Sequence, residues 1–145
     1  MADFTRKEIQ QMIATATQPL NLTGVDLSKV DLKGLDLNGV NLCNAKLNGA
    51  DLFTTKLRFA NLSYANLSNA NLTRAHFYGA NLSYADFYNA KLIDTLLTDT
   101  NLTGARLINA NLSGAILVKA NLSYVDLTGA DLTGVDFEGV KGYKR

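Results

Sequence analysis

The sequence predicts an all-β solenoid preceded by a short capping α-helix. Three observations predict it: a five-residue period, a twenty-residue period and a helix-start signal near the N-terminus. Every fifth residue from Leu22 to Phe137 is Leu or Phe, which makes 24 consecutive pentapeptides over residues 20–139. The position two before each central residue is small, with Ala at 14 of the 25 places counted through Val140. A fixed period of this kind is the signature of a repeat architecture.

A five-residue period fits neither regular secondary structure. On an α-helix, five residues turn about 500°, so successive Leu residues would not share a face. On a flat strand, residues five apart point to opposite sides. The conflict disappears if the chain turns a corner in each repeat. The small residue and the central Leu then both point inward, and the Ser/Thr-Gly pair forms the turn. Repeated corners of one hand wind the chain into a solenoid.

The twenty-residue period indicates four pentapeptides per coil. One column at this spacing contains only Asn, although Asn holds just nine of the 24 equivalent positions. Its members are Asn21, Asn41, Asn61, Asn81, Asn101 and Asn121. We therefore number four faces by the pentapeptides 20–24, 25–29, 30–34 and 35–39, each continued at every twentieth residue. Stacked Asn amides predict a hydrogen-bonded ladder on face one.

A column on face two predicts ion pairs between coils. It alternates in charge along the solenoid: Asp26, Lys46, Asn66, Asp86, Arg106 and Asp126. Exposed pairs of this kind contribute about 0.2–1 kcal/mol each.

The repeat unit resembles a known family. Segments such as Ala60-Asn61-Leu62-Ser63-Tyr64 and Ala65-Asn66-Leu67-Ser68-Asn69 carry the A(D/N)LxX pattern, which is similar to that of the pentapeptide-repeat proteins and extends over 120 of 145 residues. The resemblance implies a right-handed quadrilateral β-helix of about six coils. At the usual strand spacing, that rod is about 29 Å long. The family is abundant in cyanobacteria, so the resemblance also implies a cyanobacterial source.

Residues 1–19 predict a helical lid over the first coil. Thr5-Arg6-Lys7-Glu8 fits a capping box, and Phe4 and Ile9 have the spacing of a hydrophobic staple. Pro19 is expected to stop the helix. The helix has an apolar stripe formed by Ile9, Met12, Ile13 and Ala16. Larger residues replace Ala in the first coil and form a floor under the lid: Leu20, Val25, Val30 and Leu35. The alternative is a membrane-surface helix, whose polar face here carries only two positive charges.

The other end has a basic tail, residues 141–145, after a β-helix domain at 20–140. The tail is too short to form a helical lid. Tyr143 is expected to fold over the last coil, with the basic residues facing nearby acids. These acids are Asp126, Asp131, Asp136 and Glu138. We expect a monomer, with an end-to-end dimer as the alternative.

Composition excludes several function classes. The net charge is +1, with 14 basic and 13 acidic residues, which argues against general nucleic-acid binding. The longest apolar runs are far shorter than a membrane span. The single Cys excludes an internal disulfide and fits a reducing compartment, and no secretion signal is evident. These features predict a cytoplasmic protein.

No arrangement of residues predicts catalysis. His76 is the only histidine and has no carboxylate neighbour in its column, and Cys43 is more than one coil away from it. Catalytic and metal sites need several converging groups. The glycines occupy solenoid corners rather than a phosphate loop. We therefore expect no catalytic site, no cofactor, no metal and no enzymatic activity.

Departures from the repeat predict a partner-binding surface. Eight of the twelve Phe and Tyr residues lie between positions 53 and 88, and the stretch 52–85 contains no acid. At twenty-residue spacing, Tyr84 lies over Tyr64 and Tyr78 over Arg58. Apolar residues replace the usual polar ones farther along face four. The candidate partner-binding residues are Arg58, Phe59, Tyr64, Tyr78, Tyr84, Leu96, Ile116 and Val118. The alternative is structural, because isolated exposed apolar residues are ordinary and strands favour Ile, Val and Tyr.

Two functions compete. The first is a non-enzymatic scaffold that binds a protein partner through face four and the aromatic residues. The second follows from the resemblance, because some pentapeptide-repeat proteins mimic DNA and bind DNA gyrase. Such mimicry requires a long, acidic rod, whereas this chain is short and carries a net charge of +1. Single-stranded nucleic acid is a weaker third ligand, since the aromatic region holds only three positive charges.

Overall fold

A computed structural model describes residues 1–143; Lys144 and Arg145 of the predicted basic tail lie outside the described residues. The chain is a right-handed quadrilateral β-helix preceded by one α-helix, α1 (Arg6–Thr15). Within residues 1–143, the β-structure consists of single-residue parallel bridges rather than longer strands. The bridges join residues twenty apart, from Asn21↔Asn41 to Asn121↔Lys141. This register confirms the prediction of four pentapeptides per coil.

Each pentapeptide ends in a tight turn. The N–H of the small residue donates to the carbonyl of the central residue three positions earlier, as Ala65 does to Leu62 at 3.1 Å. The same bond closes all 24 turns from Leu22–Val25 to Phe137–Val140 in the described chain. The fifth residue of every repeat has φ between 53° and 71°, which is characteristic of a type II turn. Gly holds ten of these 24 corners, and other residues hold the remaining fourteen.

In the interior coils, three further backbone donors of each repeat bond to the neighbouring coils. In the repeat around Leu62, the N–H of Leu62 donates to Asn81 at 2.8 Å and that of Tyr64 donates to Ser83 at 3.0 Å. The N–H of Asn61 donates to Val40 in the preceding coil at 2.9 Å. Together with the turn bond, these bonds use four of the five backbone donors of a repeat. The remaining donor is the N–H of the residue after the centre.

The side chain before each centre accepts that last donor. The N–H of Ser63, for example, donates to Oδ1 of Asn61 at 3.1 Å. All 17 Asn and Asp residues at this position make the bond, within the repeats at residues 20–139. Asn and Asp are the residues whose short side chains bond to the backbone two residues on. The polar column of the repeat is therefore a structural requirement of the coil.

The predicted Asn ladder is wrong for most of its column. Among the described residues of face one, only Asn61 and Asn101 donate to the Asn below, at 3.4 and 3.5 Å. The two ladder bonds go to Asn41 and Asn81, whose oxygens otherwise accept only a backbone N–H. The oxygens of the other four accept a Ser or Thr hydroxyl as well as that N–H: Asn21, Asn61, Asn101 and Asn121. By contrast, the predicted ion pairs on face two are present: Arg106 lies 2.9 Å from Asp86, and Lys46 lies 4.0 Å from Asp26.

The core is a narrow column of inward-pointing side chains, and its buried hydroxyls are hydrogen-bonded. All central residues from Leu22 to Leu122 are at most 4% exposed. Three Thr residues replace the small inner residue, and their hydroxyls donate to nearby carbonyls. These bonds run from Thr55 to Leu32, from Thr95 to Leu72 and from Thr100 to Leu97. Buried hydroxyls are tolerated when they are hydrogen-bonded in this way.

Helix α1 covers the first coil, as predicted. Thr5 and Glu8 form the capping box, and Ile9 is fully buried. The side chains of Phe4, Met12 and Ile13 are partly buried and pack against the core. The guanidinium of Arg6 donates to the carbonyls of Asp31 and Lys33 at 3.2 and 3.0 Å, which fixes α1 to face three.

Two details of the helix prediction are wrong. The helix ends at Thr15, four residues before Pro19, and Ala16 is an exposed C-cap in extended conformation (φ −69°, ψ 133°) rather than part of the buried stripe. The chain leaves the helix early because it must descend to the first coil. Pro19 instead packs beside the corner at Gly39, where an added Cβ would lie 3.2 Å from the proline ring.

At the C-terminal end, the ring of Tyr143 covers part of the last coil. Tyr143 stacks on Phe137 with ring centroids 4.9 Å apart and an interplanar angle of 10°, as predicted for a residue folding over the last coil. The inner residues of this coil remain only partly buried: Val125, Leu127, Ala130, Leu132, Val135, Phe137 and Val140.

We predict that Asn111→Ala destabilises the protein by about 1–2 kcal/mol, because two hydrogen bonds lose their acceptor. Oδ1 of Asn111 accepts from the N–H of Ser113 at 2.9 Å and from its hydroxyl at 2.7 Å. Urea unfolding followed by circular dichroism measures the effect. The matched control is Lys91→Ala, directly below in the same column, which should change stability by less than about 0.5 kcal/mol. Equal losses for the two variants would contradict the role assigned to the Asn side chain.

We predict that Asp131→Asn makes stability less sensitive to acid. The hydroxyl of Thr133 and then its N–H donate to this carboxylate and lower the pKa of Asp131 below its ordinary value of 3.8. Its contribution to stability is therefore present above about pH 4 and lost as the pH falls through the lowered folded pKa. Asn accepts the same bonds without titrating, so the unfolding free energy of the variant should fall less between pH 5 and pH 2.

The reciprocal change tests the same reasoning on face one. Asn101→Asp places a titrating carboxylate in the equivalent geometry, where Thr103 donates its N–H and its hydroxyl, between the neutral bridge partners Asn81 and Asn121. We expect this variant to lose stability more steeply in acid than the unmodified protein. Parallel unfolding curves for all three proteins between pH 5 and pH 2 would refute the assignment.

Candidate interaction surface on face four

Face four is where the polar column of the repeat is interrupted. Seven of the 24 repeats lack Asn or Asp before the central residue, and four of the seven are consecutive on this face. These four are Lys56, His76, Leu96 and Ile116, bridged to one another and bounded by Asp36 and Asp136. The other three are scattered over faces two and three: Lys46, Lys91 and Arg106.

The interruption removes local hydrogen bonds. Without an amide or carboxylate two residues earlier, the N–H after the centre loses its usual acceptor. Arg58 recovers one from the coil below, because its N–H donates to Oδ1 of Asn38 at 2.8 Å. For the N–H groups of Tyr78, Thr98 and Val118, no acceptor is present among residues 1–143.

Arg58, Phe59 and Tyr78 form a compact cluster on this face. The guanidinium carbon of Arg58 lies 5.5 Å from the ring centroid of Tyr78 and 6.0 Å from that of Phe59. The two rings meet edge to face at 5.4 Å. Phe59 is 63% exposed although it occupies a corner with φ of 58°. The sequence prediction that Tyr78 lies over Arg58 is confirmed.

Apolar side chains continue the surface toward the C-terminus. Leu96 and Ile116 are bridge partners, and Val118 follows two residues after Ile116. All three side chains are half-buried, so they present edges rather than whole side chains to solvent. We call Arg58, Phe59, Tyr78, Leu96, Ile116 and Val118 the face-four cluster.

Tyr64 and Tyr84 lie elsewhere. Their rings stack at 5.1 Å with an interplanar angle of 10°, which confirms the predicted stacking, and they are 58% and 53% exposed. They occupy the far corner of face one, so face one separates this tyrosine stack from the face-four cluster. Tyr124, in the same column, is 91% exposed and was not predicted, because Gly104 interrupts the aromatic run.

Two neighbouring cations of face four lack acidic partners. In the described chain, neither Lys56 nor Arg58 has a carboxylate oxygen within 4.0 Å. Five cations elsewhere do have such partners, in the pairs Arg6–Asp31, Lys33–Asp51, Lys46–Asp26, Arg74–Asp94 and Arg106–Asp86. Face four therefore presents unpaired positive charge beside aromatic and apolar side chains.

Three further features of the described residues concern metal ligands, the thiol and a cavity. No group of three or more His, Cys, Asp or Glu residues able to hold a metal occurs within residues 1–143. The thiol of Cys43 is half-buried and accepts from the hydroxyl of Ser63 at 3.4 Å. An open cavity of about 380 Å³ lies between the end of the helical segment and the start of face four, lined in part by Pro19 and Asp36.

Among the described residues, no helix is long and apolar enough to span a membrane.

Comparisons with known proteins identify pentapeptide repeats in this chain. The family model for pentapeptide repeats matches residues 21–58, 60–99 and 100–139 in eight copies. Among solved structures, the chain is similar to the pentapeptide repeat protein Rfr23 from the cyanobacterium Cyanothece 51142, at 25% identity over 94% of each chain with a TM-score of 0.51. It is also similar to HetL from Nostoc sp. PCC 7120, involved in heterocyst differentiation regulation, at 23% identity over 94% of this chain and 96% of HetL, with a TM-score of 0.41.

A third similar structure is QnrB1, a plasmid-mediated fluoroquinolone resistance protein. Its identity is 23% over 85% of this chain and 77% of QnrB1, with a TM-score of 0.41. No curated protein sequence matches the chain.

We predict that His76→Asn stabilises the protein by about 0.5–1.5 kcal/mol, because the new amide oxygen can accept the N–H of Tyr78. Lys56→Asn is the matched control, since the N–H of Arg58 already has an acceptor in Asn38 at 2.8 Å. Chemical denaturation of both variants measures the difference. A larger gain for Lys56→Asn than for His76→Asn would show that the missing local bond does not limit stability on this face.

Proposed function

The chain belongs to the pentapeptide-repeat family, and from that premise we propose that it is a non-enzymatic scaffold that binds a protein partner through face four. The repeat supplies a rigid rod, and the partner recognises the side chains that depart from the repeat. The face-four cluster forms the main contact in this proposal, and the tyrosine stack on the far corner of face one forms a secondary one.

One observation carries the proposal: on face four the chain departs from the rule of its own fold in four consecutive coils. Each Asn or Asp elsewhere contributes a backbone hydrogen bond, and such a bond is worth about 0.5–1.5 kcal/mol. Lys56, His76, Leu96 and Ile116 forgo it together, with the rule restored at both ends by Asp36 and Asp136. Sequences that break a local rule without a structural gain do so mostly at functional sites.

The aromatic residues support the same conclusion. Phe59 adopts a positive φ of 58°, which disfavours a side chain by about 1–2 kcal/mol, yet its ring remains 63% exposed. A residue placed there for stability alone would be Gly or Asn. Aromatic residues and Arg are the side chains that contribute most to binding at protein interfaces. Arg58, Phe59 and Tyr78 supply this combination in one contact cluster.

The rigidity of the rod favours a binding role. Four backbone bonds in each repeat of the interior coils hold the rod, so the face-four side chains are fixed before a partner arrives. A pre-organised surface loses little conformational entropy on binding. The same proposal includes a cytoplasmic location and a cyanobacterial source, the latter supported by the cyanobacterial origin of Rfr23, and a monomeric state.

The DNA-mimicking alternative receives less support. Mimicry needs an extended acidic surface, whereas most acids on faces two and three are paired with bases, as Asp86 is with Arg106 and Asp51 with Lys33. The net charge of +1 argues in the same direction. Potent inhibition of DNA gyrase in a supercoiling assay would reverse this preference.

We predict that restoring the repeat on face four abolishes partner binding. The variant combines Lys56→Asn, His76→Asn, Leu96→Asn and Ile116→Asn, each of which re-creates the local acceptor. In affinity purification from the source organism, quantified by mass spectrometry, the specific partner should be recovered at least tenfold less than with the unmodified protein.

The remaining three departures give a matched control. The variant Lys46→Asn, Lys91→Asn and Arg106→Asn also restores the repeat but leaves face four untouched. It should recover the partner as the unmodified protein does. Equal recovery with both variants, with folding confirmed by circular dichroism, would exclude face four as the binding surface.

A further inference from the structure

We propose that the carboxylates of the last coil prevent the C-terminal end of the rod from pairing with the same end of a second copy. The backbone of this end is complementary to itself, and removal of the charge converts it into a dimer contact. The inference goes beyond the proposed function and does not depend on it. Three features carry it: open backbone groups, partly buried inner residues, and the placement of Asp along the rod.

The N-terminal end of the rod is closed by contacts with the helical segment. The N–H of Asp3 donates to the carbonyl of Asp26 at 2.6 Å. The guanidinium of Arg6 donates to the carbonyls of Asp31 and Lys33. A second copy therefore cannot stack on the first coil without displacing this segment.

The C-terminal end has the same kind of backbone groups without partners. In interior coils, the N–H groups of the central and fifth residues donate to the next coil, and the carbonyl of the small residue accepts from it. Within residues 1–143, these groups make no hydrogen bond at the N–H groups of Leu127, Gly129, Leu132, Gly134 and Gly139 and at the carbonyls of Val125, Ala130 and Val135. Open β-edges of this kind are templates for pairing with another chain.

Apolar side chains are available at the same end. Tyr143 stacks on Phe137, while Leu127 and Leu132 on faces two and three remain partly buried. The equivalent central residues of the interior coils are fully buried. A second square end placed on this one would cover both the open backbone groups and the apolar side chains.

The open edge can pair with itself. When two C-terminal ends meet about a two-fold axis, the facing segments run antiparallel. On face two, the N–H of Leu127 then donates to the carbonyl of Val125 in the second copy, and symmetry supplies the reverse bond. This register places the two Asp126 residues directly opposite each other, with Cα atoms about 4.5 Å apart. Like charges in that position destabilise the pairing.

Asp is concentrated at the two ends of the rod. Before the central residue on faces two, three and four, it holds all six places in the coils at 20–39 and 120–139, but only two of the twelve places between them. The six are Asp26, Asp31, Asp36, Asp126, Asp131 and Asp136, and the two are Asp51 and Asp86. Asn accepts the same backbone N–H elsewhere in the chain, as Asn61 does from Ser63. The local hydrogen bond therefore does not explain the charge.

The acids of the last coil are placed to repel an identical end. In the part of the chain that the structure describes, no cation lies within 4.0 Å of Asp126, Asp131, Asp136 or Glu138. Lys141 lies on the remaining face, bridged to Asn121. Because three of the four faces end in Asp, every way of stacking two such ends brings acid against acid on at least two faces. Charged side chains at an exposed edge are a common means of preventing edge pairing.

The experiment removes the charge and keeps the hydrogen bonds. The variant combines Asp126→Asn, Asp131→Asn, Asp136→Asn and Glu138→Gln in the full chain. Analytical ultracentrifugation over a concentration series should show a monomer for the unmodified protein and a dimer for the variant, with a dissociation constant lower by about tenfold or more. The matched control combines Asp51→Asn and Asp86→Asn in interior coils and should sediment as the unmodified protein does.

Amide hydrogen exchange then locates the contact. In the variant dimer, the N–H groups of Leu127 and Leu132 should exchange about tenfold or more slowly than in the unmodified protein, while those of Tyr78 and Thr98 on face four should not change. A variant that keeps its circular dichroism spectrum and stays monomeric at every concentration would overturn the inference. A dimer that leaves the amides of Leu127 and Leu132 unprotected would also overturn it, since the two copies would then meet elsewhere.

Discussion

The hydrogen bond between the N–H after each central residue and the Asn or Asp side chain before it is the interaction on which the coil depends. Turn and inter-coil bonds account for the other four donors of a pentapeptide, and this bond provides for the fifth. It also holds the residue after the centre at the start of the turn, so that the chain bends after every inward-pointing Leu. A side chain one atom longer cannot reach the same N–H with the same geometry, which explains why Gln and Glu are absent from this position at residues 20–139.

The corners add a second constraint that reaches from one coil to the next. Their side chains lean toward the C-terminus and cover the corner above. A Cβ on Gly79 would lie 2.8 Å from the ring of Phe59, and one on Gly104 would lie 2.5 Å from the ring of Tyr84. Glycine is therefore needed above a large corner side chain for two reasons: φ is positive, and the space is occupied. Tyr84 above Tyr64 satisfies the same constraint differently, by stacking the two rings.

The sequence alone predicts the coil, the register, the capping box and the ring stacking, because each depends on residues at a fixed spacing. It does not predict the early end of the helix at Thr15, since that end is set by the path the chain takes to reach the first coil. The Asn ladder fails for a different reason: where a Ser or Thr hydroxyl two residues on donates to Oδ1, as at Asn21 and Asn61, that oxygen is not shared with the next Asn. Periodicity does not show which acceptors the hydroxyls take. The columns do place Tyr64 at the end of face one and Phe59 at the end of face four, whereas the exposure of each ring depends on how the side chain lies against the next corner.

In a repeat this regular, folding explains the residues that fit the pattern. Residues that depart from it need another explanation, such as an ion pair or a binding role. A departure is most informative where it has a measurable local consequence. Lys46 and Arg106 lose the side-chain acceptor but gain ion pairs with Asp26 and Asp86, so stability partly accounts for them. At Lys56 the lost bond is replaced from the coil below, because Asn38 accepts the N–H of Arg58. His76, Leu96 and Ile116 have no such compensation among residues 1–143, and neither has Lys91, which stands alone on face three. Face four is thus set apart by three uncompensated departures in adjacent coils, which is the property expected of a surface maintained for binding.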